Sequence, residues 1–367
     1  MLAKRMSKIE ASGIRKIFDL VQHMKDPIDL SIGQADFDVP KRVKEAAVRA
    51  INEGHNRYTI TQGLPELREK LRIKLKGQYG IEPESLFITA GAAGGIFLSY
   101  MALLDPGDEI LVFDPYFVMY KHLANVIGAV PKYVDTYPDF RPSKERILKA
   151  ITKKTKVIMV NSPVNPTGIA YTAEEMRMIA DIAEAHKLLI ISDEIYDHFV
   201  YDRPHECMMK YYPKKTILVG GFSKTYGMPG WRIGYVAGPQ EILHKMETLQ
   251  QFTFVCANAP AQRGCAEAFD VDMSPHIEEF RKRRELVYGM LKPHFDCVRP
   301  EGAFYIFPRV PGGTGQEFSK RAIEKDVLIV PGNACSDSDT HFRLSYAAPD
   351  AKLRRGIEIL IELAKKK

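Results

Sequence analysis

A single amine stands out in the segment GGFSKTYGMPGWRIGY, which runs from Gly220 to Tyr235. Lys224 lies among small and aromatic residues just after the apolar run TILV, and the next cation is Arg232, eight positions later. A surface lysine usually has charged neighbours, so this setting predicts a lysine that is shielded from water. Desolvation or a nearby cation lowers the pKa of an amine, and a neutral amine can form a Schiff base with a carbonyl. The segment therefore predicts a nucleophilic lysine.

Other reactive side chains follow the apolar runs that precede Lys224 along the chain. Asp193 and Tyr196 lie in DEIY after the run LLIIS, and Asn165 lies in NSPVNPTG after the run KVIMV. The run LFIT is followed by AGAAGG, a glycine-rich start of a helix whose first N–H groups could hold an anion. In open α/β sheets ligands bind beyond the carboxyl ends of the strands, so these groups are predicted to converge at one edge.

Pyridoxal phosphate is a cofactor that would use all of these groups. Its aldehyde suits Lys224, and its phosphate suits the helix start and Arg232. Its ring nitrogen must stay protonated to act as an electron sink, which a buried carboxylate such as Asp193 favours. Tyr196 and Asn165 could hydrogen-bond the phenolic oxygen. Each motif alone has an ordinary interpretation, since AGAAGG does not match GxGxxG and GGFSKT lacks the spacing of a phosphate loop.

These side chains require a fold that places several strand ends side by side. From about residue 41 to 240, apolar runs alternate with helical patterns, which predicts an α/β fold with a mostly parallel sheet between helices. The segment from Thr172 to His186 predicts one such helix, with Thr172 and Glu175 forming a capping box. Beyond residue 270 the pattern predicts a smaller α+β domain. We predict a large domain over residues 41–269 and a small domain made of 1–40 and 270–367.

The composition excludes several classes of protein. The 367 residues are 45% hydrophobic and 27% charged, which allows a sizeable core, and the net charge of +6 is interleaved rather than clustered. No run approaches the roughly 20 apolar residues of a membrane span, and the N-terminus lacks the apolar core of a signal peptide. The five cysteines show no metal-ligand spacing. We expect a cytoplasmic protein with no metal and no membrane or nucleic-acid partner.

The quoted motifs, in their order and spacing, resemble those of the fold-type I, class I and II aminotransferases that use pyridoxal phosphate. The similarity runs from LSIGQADFDVP at residue 30, through HNRYTITQGLPELRE at residue 55, to FRLSYA at residue 342. The resemblance implies that Lys224 forms the Schiff base and then moves a proton between the substrate and the cofactor. It also implies that Asp193 pairs with the ring nitrogen and that Tyr196 and Asn165 bind the phenolic oxygen.

The resemblance implies further site residues. Tyr116 would stack on the cofactor ring, and Tyr58 would reach the phosphate of the neighbouring subunit in a homodimer that shares its active sites. Arg343, assisted by Asn165 and the backbone of Gly33, would bind the α-carboxylate of the substrate. The cradle for the cofactor phosphate would consist of Ala92, Ala93, Ser223 and Arg232.

Two positions depart from the family pattern. Gly221 replaces a serine or threonine that commonly binds the phosphate, a contact for which Ser223 would compensate. Ala93 stands where some relatives that favour acidic substrates have a lysine, which shifts the expected substrate towards aromatic or other neutral amino acids. The substrate pocket is predicted to include Gln34 and the segment from Ile14 to Phe18.

We therefore predict a transaminase that works by a ping-pong mechanism. It would move the amino group of an L-amino acid, either aromatic or neutral or aspartate, to a 2-oxo acid such as 2-oxoglutarate. A carbon–sulfur β-lyase with the same cofactor is the alternative, and it would release pyruvate and ammonia from cysteine conjugates without an oxo acid. A non-catalytic regulator that senses ligands is less favoured, because the lysine, the aspartate and both arginines are present.

Overall fold

The computed structural model describes residues 3–9, 24 and 26–365. The strands among these residues form three sheets. The described strands are β1 (Ile28–Asp29), β2 (Ser85–Ala90), β3 (Glu109–Asp114), β4 (Val130–Asp135), β5 (Thr155–Asn161), β6 (Leu189–Asp193), β7 (Thr216–Gly221), β8 (Ile233–Gly238), β9 (Tyr305–Ile306), β10 (Val327–Leu328), β11 (Val330–Pro331) and β12 (Phe342–Ser345).

The large sheet has the strand order β2-β8-β7-β6-β5-β3-β4. Strands β3 to β7 pair in parallel, and only β8 runs antiparallel to its neighbours β2 and β7. The prediction of a mostly parallel sheet is confirmed, and the four apolar runs quoted above form strands β2, β5, β6 and β7. The sequence did not reveal β4, which lies at the edge and is partly exposed, or β8, whose glycines weaken the strand signal.

Helices cover both faces of the large sheet. The described α-helices are α1 (Lys41–Asn52), α2 (Pro65–Tyr79), α3 (Gly91–Leu103), α4 (Met119–Ile127), α5 (Lys144–Ala150), α6 (Ala173–Ala185), α7 (Gln240–Thr253), α8 (Ala259–Ala268), α9 (Ser274–Leu291), α10 (Gly315–Ile323) and α11 (Asp350–Lys365). Adjacent strand residues such as Phe87 and Ile88 belong to separate apolar clusters, because successive side chains point to opposite faces. The predicted capping box of Thr172 and Glu175 is present at the start of α6.

Helix α3 approaches the sheet closely because it begins with small residues. A Cβ atom placed on Gly95 would lie 2.7 Å from a methyl carbon of Val236 in β8. A larger residue at this position would push the helix away from the strands. The close packing brings the N-terminus of α3 to the edge of the sheet where β5, β6 and β7 end.

The two smaller sheets lie beside a separate apolar cluster. Strand β1 pairs in parallel with β10, and β12 lies between β11 and β9 in an antiparallel sheet. Ile28 and Leu30 pack with buried residues of α9 and α11, so residues near the N-terminus join the C-terminal part of the chain. Among the described helices, none is both long and apolar enough to cross a membrane.

Candidate active site

A cavity of about 300 Å³ opens at the carboxyl ends of β5, β6 and β7 and at the start of α3. Three strand-to-turn connections and one helix N-terminus meet there, as expected for an open α/β sheet. The sequence-predicted residues that line the cavity are Gly33, Ala92, Ala93, Asn165, Asp193, Tyr196, Ser223, Lys224, Arg232 and Arg343.

Lys224 extends from the turn after β7 into this cavity. Its Nζ donates a hydrogen bond to the carbonyl oxygen of Gly33 at 2.5 Å. Burial, with further contributions from the guanidinium groups of Arg343 and Arg232, lowers the pKa of Lys224 to about 8, although Asp193 opposes the shift. Near neutral pH the amine is therefore neutral far more often than an ordinary lysine, and the neutral amine is the form that attacks a carbonyl.

Asp193 ends β6 and is only 3% exposed. Its carboxylate accepts hydrogen bonds from the hydroxyl of Tyr120 at 2.8 Å and from the backbone N–H of Ile195 at 3.3 Å. Burial nevertheless raises the pKa of Asp193 to about 6. A protonated ring nitrogen placed beside this carboxylate would favour its charged form, and the carboxylate would in turn keep that nitrogen protonated.

Arg343 of β12 is buried on the other side of the cavity. Its Nη1 donates to Asn165 Oδ1 at 2.9 Å, and its Nη2 donates to the carbonyl oxygen of Ser31 at 2.7 Å. Its Nε has no hydrogen-bond partner among the described residues although it is buried. The Arg343 guanidinium also lies over the ring of Tyr305, with Cζ 4.6 Å from the centroid. A fixed planar guanidinium with donors to spare suits a carboxylate ligand.

The start of α3 and Arg232 form a cradle for an anion. The N-cap residue, Ala90, makes no side-chain capping bond, so the N–H groups of the first turn keep their donors. Gly91 has a φ of 71°, and a Cβ atom there would lie 2.6 Å from Arg232 Nη2. Glycine therefore allows the guanidinium to lie against the helix start, where the helix dipole also favours negative charge.

These features together fit pyridoxal phosphate. The cavity offers a lysine with a lowered pKa, a buried carboxylate without a cationic partner in the described structure, and an anion cradle. Each feature matches a different part of the cofactor: the aldehyde, the ring nitrogen and the phosphate. Tyr196 and Asn165 line the same cavity and are available to its phenolic oxygen.

The structure corrects the assignment of Tyr116. Its ring stacks on Tyr133, with centroids 5.0 Å apart, and its hydroxyl donates to Asp337 at 3.2 Å. Tyr116 does not line the cavity, whereas the next residue, Phe117, does. Adjacent residues in an extended turn point in different directions, so the motif DPYF identified the turn but the wrong aromatic residue.

Two other predicted residues, Tyr58 and Gln34, do not line the described cavity, and a third predicted segment cannot be compared with it. Tyr58 is 83% exposed and is not one of the residues that line the cavity, so its expected contact with a second subunit stays a prediction. Gln34 is adjacent to Gly33 but does not line the cavity. The segment from Ile14 to Phe18 lies outside the described residues.

Gly221, which replaces the expected hydroxyl residue, has little room for a side chain. A Cβ atom there would lie 3.0 Å from Ile195 Cδ1 and 3.3 Å from the carbonyl oxygen of Ile233. Ser223 lines the cavity two residues later and is placed to supply a hydroxyl in its stead.

Sequence reasoning missed several residues that hold the site together. Tyr120 bonds Asp193, and Tyr305 bonds Tyr196, but both came from segments interpreted only as structural elements. Asn161 donates from Nδ2 to the carbonyl oxygen of Asp193 at 2.9 Å and accepts from the backbone N–H of Asn165 at 2.9 Å. Asn161 is the first residue of NSPVNPTG and lies at the end of a predicted strand, and this position could have identified it as a site residue from the sequence.

Comparison with known proteins shows which family this chain is similar to. Residues 25–360 match the family model described as aminotransferase class I and II. The chain is 40% identical to a protein of Methanocaldococcus jannaschii named probable aspartate aminotransferase, over 99% of this chain and 100% of that protein. It is 36% identical to aromatic-amino-acid aminotransferase 2 of Thermococcus litoralis, over 100% of this chain and 99% of that protein.

A solved structure has the same overall fold. The aspartate aminotransferase of Thermus thermophilus, determined with maleate, superimposes with a TM-score of 0.94 at 34% identity. The superposition covers 99% of this chain and 99% of that one. The likeness extends over the large sheet and the smaller sheets together.

Proposed function

This chain belongs to the class I and II aminotransferases, which use pyridoxal phosphate, and we propose that it moves the amino group of an L-amino acid to a 2-oxo acid by a ping-pong mechanism. The observation that carries the proposal is the cavity in which Lys224, Asp193 and Arg343 meet the anion cradle of α3. The amine would transfer protons, the carboxylate would bind the ring nitrogen, and the guanidinium would bind the substrate carboxylate. The acceptor that we propose is 2-oxoglutarate.

The residues of the chain divide the work between binding and proton transfer. Arg343 binds the α-carboxylate of the substrate and so orients the bond from its α-carbon to hydrogen. Lys224 Nζ, with its pKa of about 8, would take that proton as a general base and then donate it to the cofactor. When bound, the cofactor supplies an electron sink and carries the amino group between the two half-reactions.

Asp193, Tyr196 and Asn165 would contact the polar atoms of the cofactor ring. Asp193 keeps the ring nitrogen protonated, because its buried carboxylate gains a cationic partner. Tyr196 and Asn165 donate to the phenolic oxygen. The cradle of Ala92, Ala93, Ser223 and Arg232 takes the phosphate, and we propose Phe117 as the residue that packs on the ring.

We propose an aromatic or other neutral amino acid as the donor, with aspartate as the second possibility. Apolar side chains of Ile96, Phe117, Met119 and Ile195 contribute to the cavity wall, and Ala93 offers no charge to a distal carboxylate. The relatives named above include both aspartate and aromatic aminotransferases, so their names leave both donor classes open. The carbon–sulfur lyase is not favoured, because the relatives are named as aminotransferases.

A homodimer is part of the proposal. Tyr58 and Phe252 are each 83% exposed, and Ile60 is 53% exposed, which is unusual for large apolar side chains outside an interface. A second copy of the chain would cover these residues and bring Tyr58 to the phosphate site of its partner. Light scattering at micromolar concentration should give twice the mass of the chain, 41.5 kDa.

We also propose a cytoplasmic location and the division into residues 41–269 and residues 1–40 with 270–367. All five cysteines are free thiols, which supports a reducing compartment. Cell fractionation tests the location, and limited proteolysis that releases a stable core tests the division.

Visible absorption spectroscopy tests the proposed activity. Purified protein supplied with pyridoxal phosphate should show a visible band that disappears when a donor amino acid is added without an oxo acid and returns when 2-oxoglutarate follows. Lys224→Ala should lack this response, whereas Lys149→Ala, which removes an exposed lysine of α5, should retain it. A protein that stays colourless would refute the cofactor assignment, and release of pyruvate and ammonia without an oxo acid would favour the lyase.

A further inference from the structure

Tyr305 occupies a central position in the cavity that its sequence context did not reveal. It lies in β9, is 1% exposed and lines the cavity. Its hydroxyl lies 2.8 Å from the hydroxyl of Tyr196, a residue that the proposed function places at the phenolic oxygen of the cofactor. Tyr305 therefore contacts Tyr196, which the proposed function assigns to cofactor binding.

The direction of the bond between the two tyrosines follows from proton counting. Burial raises the pKa of both hydroxyls, so each keeps its single proton at neutral pH. If Tyr196 donates its proton to the phenolic oxygen, the proton between the two tyrosines must come from Tyr305. Tyr196 then accepts one hydrogen bond while donating another, and the two bonds strengthen each other.

The ring of Tyr305 supports a second site residue. The Arg343 guanidinium lies over this ring at 4.6 Å from its centroid, within the range of a cation–π interaction. The hydrogen bonds of Arg343 to Asn165 and Ser31 fix it from two sides, and the ring supports it from a third. One side chain thus contacts both the group that binds the phenolic oxygen and the group that binds the substrate carboxylate.

The position of the Tyr305 hydroxyl is constrained by the backbone of the N-terminal segment. A Cβ atom on Gly33 would lie only 2.2 Å from the hydroxyl oxygen of Tyr305. The carbonyl oxygen of the same glycine accepts the hydrogen bond of Lys224. The Tyr305 hydroxyl is therefore held between Gly33 and Tyr196.

We propose that Tyr305 is a positioning residue with two separable tasks: its hydroxyl orients the proton of Tyr196 towards the cofactor, and its ring holds Arg343 in place for the substrate carboxylate. The inference rests on the proposed function, because both tasks are defined by the cofactor and the amino-acid substrate. The charged and titratable groups that face the tyrosine pair are Arg343, Asp193, Lys224 and Cys335.

Two substitutions at Tyr305 separate these tasks. Tyr305→Phe removes the hydroxyl and keeps the ring, whereas Tyr305→Leu removes both. Tyr346→Phe is the matched control, since it deletes another buried hydroxyl, one that donates to the carbonyl oxygen of Ala303 outside the cavity. Each protein is reconstituted with pyridoxal phosphate and titrated by visible absorption from pH 5 to 10, and kcat and KM for the donor are then measured.

The two tasks predict different results. Without the hydroxyl, Tyr196 donates more weakly, the phenolic oxygen keeps more negative charge, and Lys224 Nζ holds its proton to higher pH. Tyr305→Phe should raise the spectral midpoint by about half to one pH unit, with a KM within about twofold of the wild-type value. Tyr305→Leu should raise the midpoint similarly and also raise the KM about tenfold. Tyr346→Phe should change neither.

An unshifted midpoint in Tyr305→Phe would overturn the role of the hydroxyl. A KM in Tyr305→Leu no higher than in Tyr305→Phe would overturn the role of the ring. A wild-type protein with no visible band would overturn the proposed function itself, whereas a normal wild-type titration with unaltered variants would overturn only this inference.

Discussion

The reactivity of Lys224 should respond in opposite directions to the loss of Arg343 and the loss of Asp193. Arg343 is the largest cationic contribution that lowers the pKa of Lys224, and Asp193 is an anionic contribution that raises it. Arg343→Met should therefore raise the pKa of Lys224, and Asp193→Asn should lower it further. If burial alone set the pKa of Lys224, neither substitution would change it.

The size of the effect follows from the pKa of about 8. At pH 7.5 that value leaves about a quarter of Lys224 neutral, compared with about 0.1% for an ordinary lysine. If removal of a nearby charge changes the pKa by about one unit, Arg343→Met reduces the neutral fraction to about 3% and Asp193→Asn raises it to about three quarters. The two variants should thus differ about 25-fold in the reactivity of one amine.

Competitive acetylation measures this directly on the cofactor-free protein. Trace acetic anhydride is added between pH 6 and 10 with N-acetyl-lysine amide as the internal reference, and the peptide that carries Lys224 is quantified by mass spectrometry. Arg42→Met, which removes an exposed partner of Glu267 far from the cavity, is the matched control and should leave the titration unchanged. The same samples give thermal unfolding curves, which identify any variant that has lost its fold.

Two results would refute the reasoning. A wild-type midpoint near that of the reference amine would show that burial does not lower the pKa of Lys224. An unchanged midpoint in both Arg343→Met and Asp193→Asn would show that these charges do not act on the amine, and the assignment of Lys224 as a tuned base would lose its physical basis.

Three further predictions concern other parts of the molecule. Gly91→Ala should weaken the binding of pyridoxal phosphate about tenfold, because the new Cβ atom would clash with Arg232 in the anion cradle. The binding of unphosphorylated pyridoxal should stay unchanged, and an equal loss for both ligands would contradict the prediction. His205→Leu should lower the free energy of unfolding by about 3 kcal/mol in urea titrations, since it leaves the buried Oε2 atom of Glu194 without its partner at 2.6 Å, while Oε1 keeps its bonds to Ser192 and Met208. A loss below about 1 kcal/mol would contradict this. Burial beside Arg309 lowers the pKa of His341 to about 4, so the unfolded chain binds a proton at higher pH than the folded chain does, and stability should fall between about pH 6.5 and 4. His341→Phe should reduce this acid-induced fall in melting temperature, and a melting temperature that falls equally in both proteins would contradict the prediction.

Much of the site could be predicted because a parallel sheet gathers strand ends. Asp193, Asn165 and Lys224 each follow an apolar run, and the runs are long enough to identify as strands from sequence alone. Once the strands are parallel neighbours, their following residues must share one edge. The order and number of the strands did not need to be known for this prediction.

The remainder depended on side-chain directions that no periodic pattern encodes. Tyr116 and Phe117 are adjacent aromatic residues in a turn, and only the structure distinguishes the one that faces the cavity. Tyr120 lies in a short helix and Tyr305 in a two-residue strand, where the ordinary interpretation of an aromatic residue is packing. Their hydroxyls become part of the site only because distant segments bring Asp193 and Tyr196 to them.

The arrangement of the charged groups in the cavity lowers the stability of the protein without its cofactor. Asp193 is buried and Lys224 is partly buried, yet the carboxylate bonds a tyrosine hydroxyl and the amine bonds a backbone carbonyl, and no described ion pair joins them. The opposite pKa shifts of Asp193, upwards, and Lys224, downwards, are the signature of charges that lack partners. A structural network would instead pair them, as Glu194, the residue that follows β6, is paired with His205. The two groups without charged partners are therefore best explained as parts of a binding site. A ligand with a cation would pair with the carboxylate of Asp193, and its aldehyde would react with the amine of Lys224.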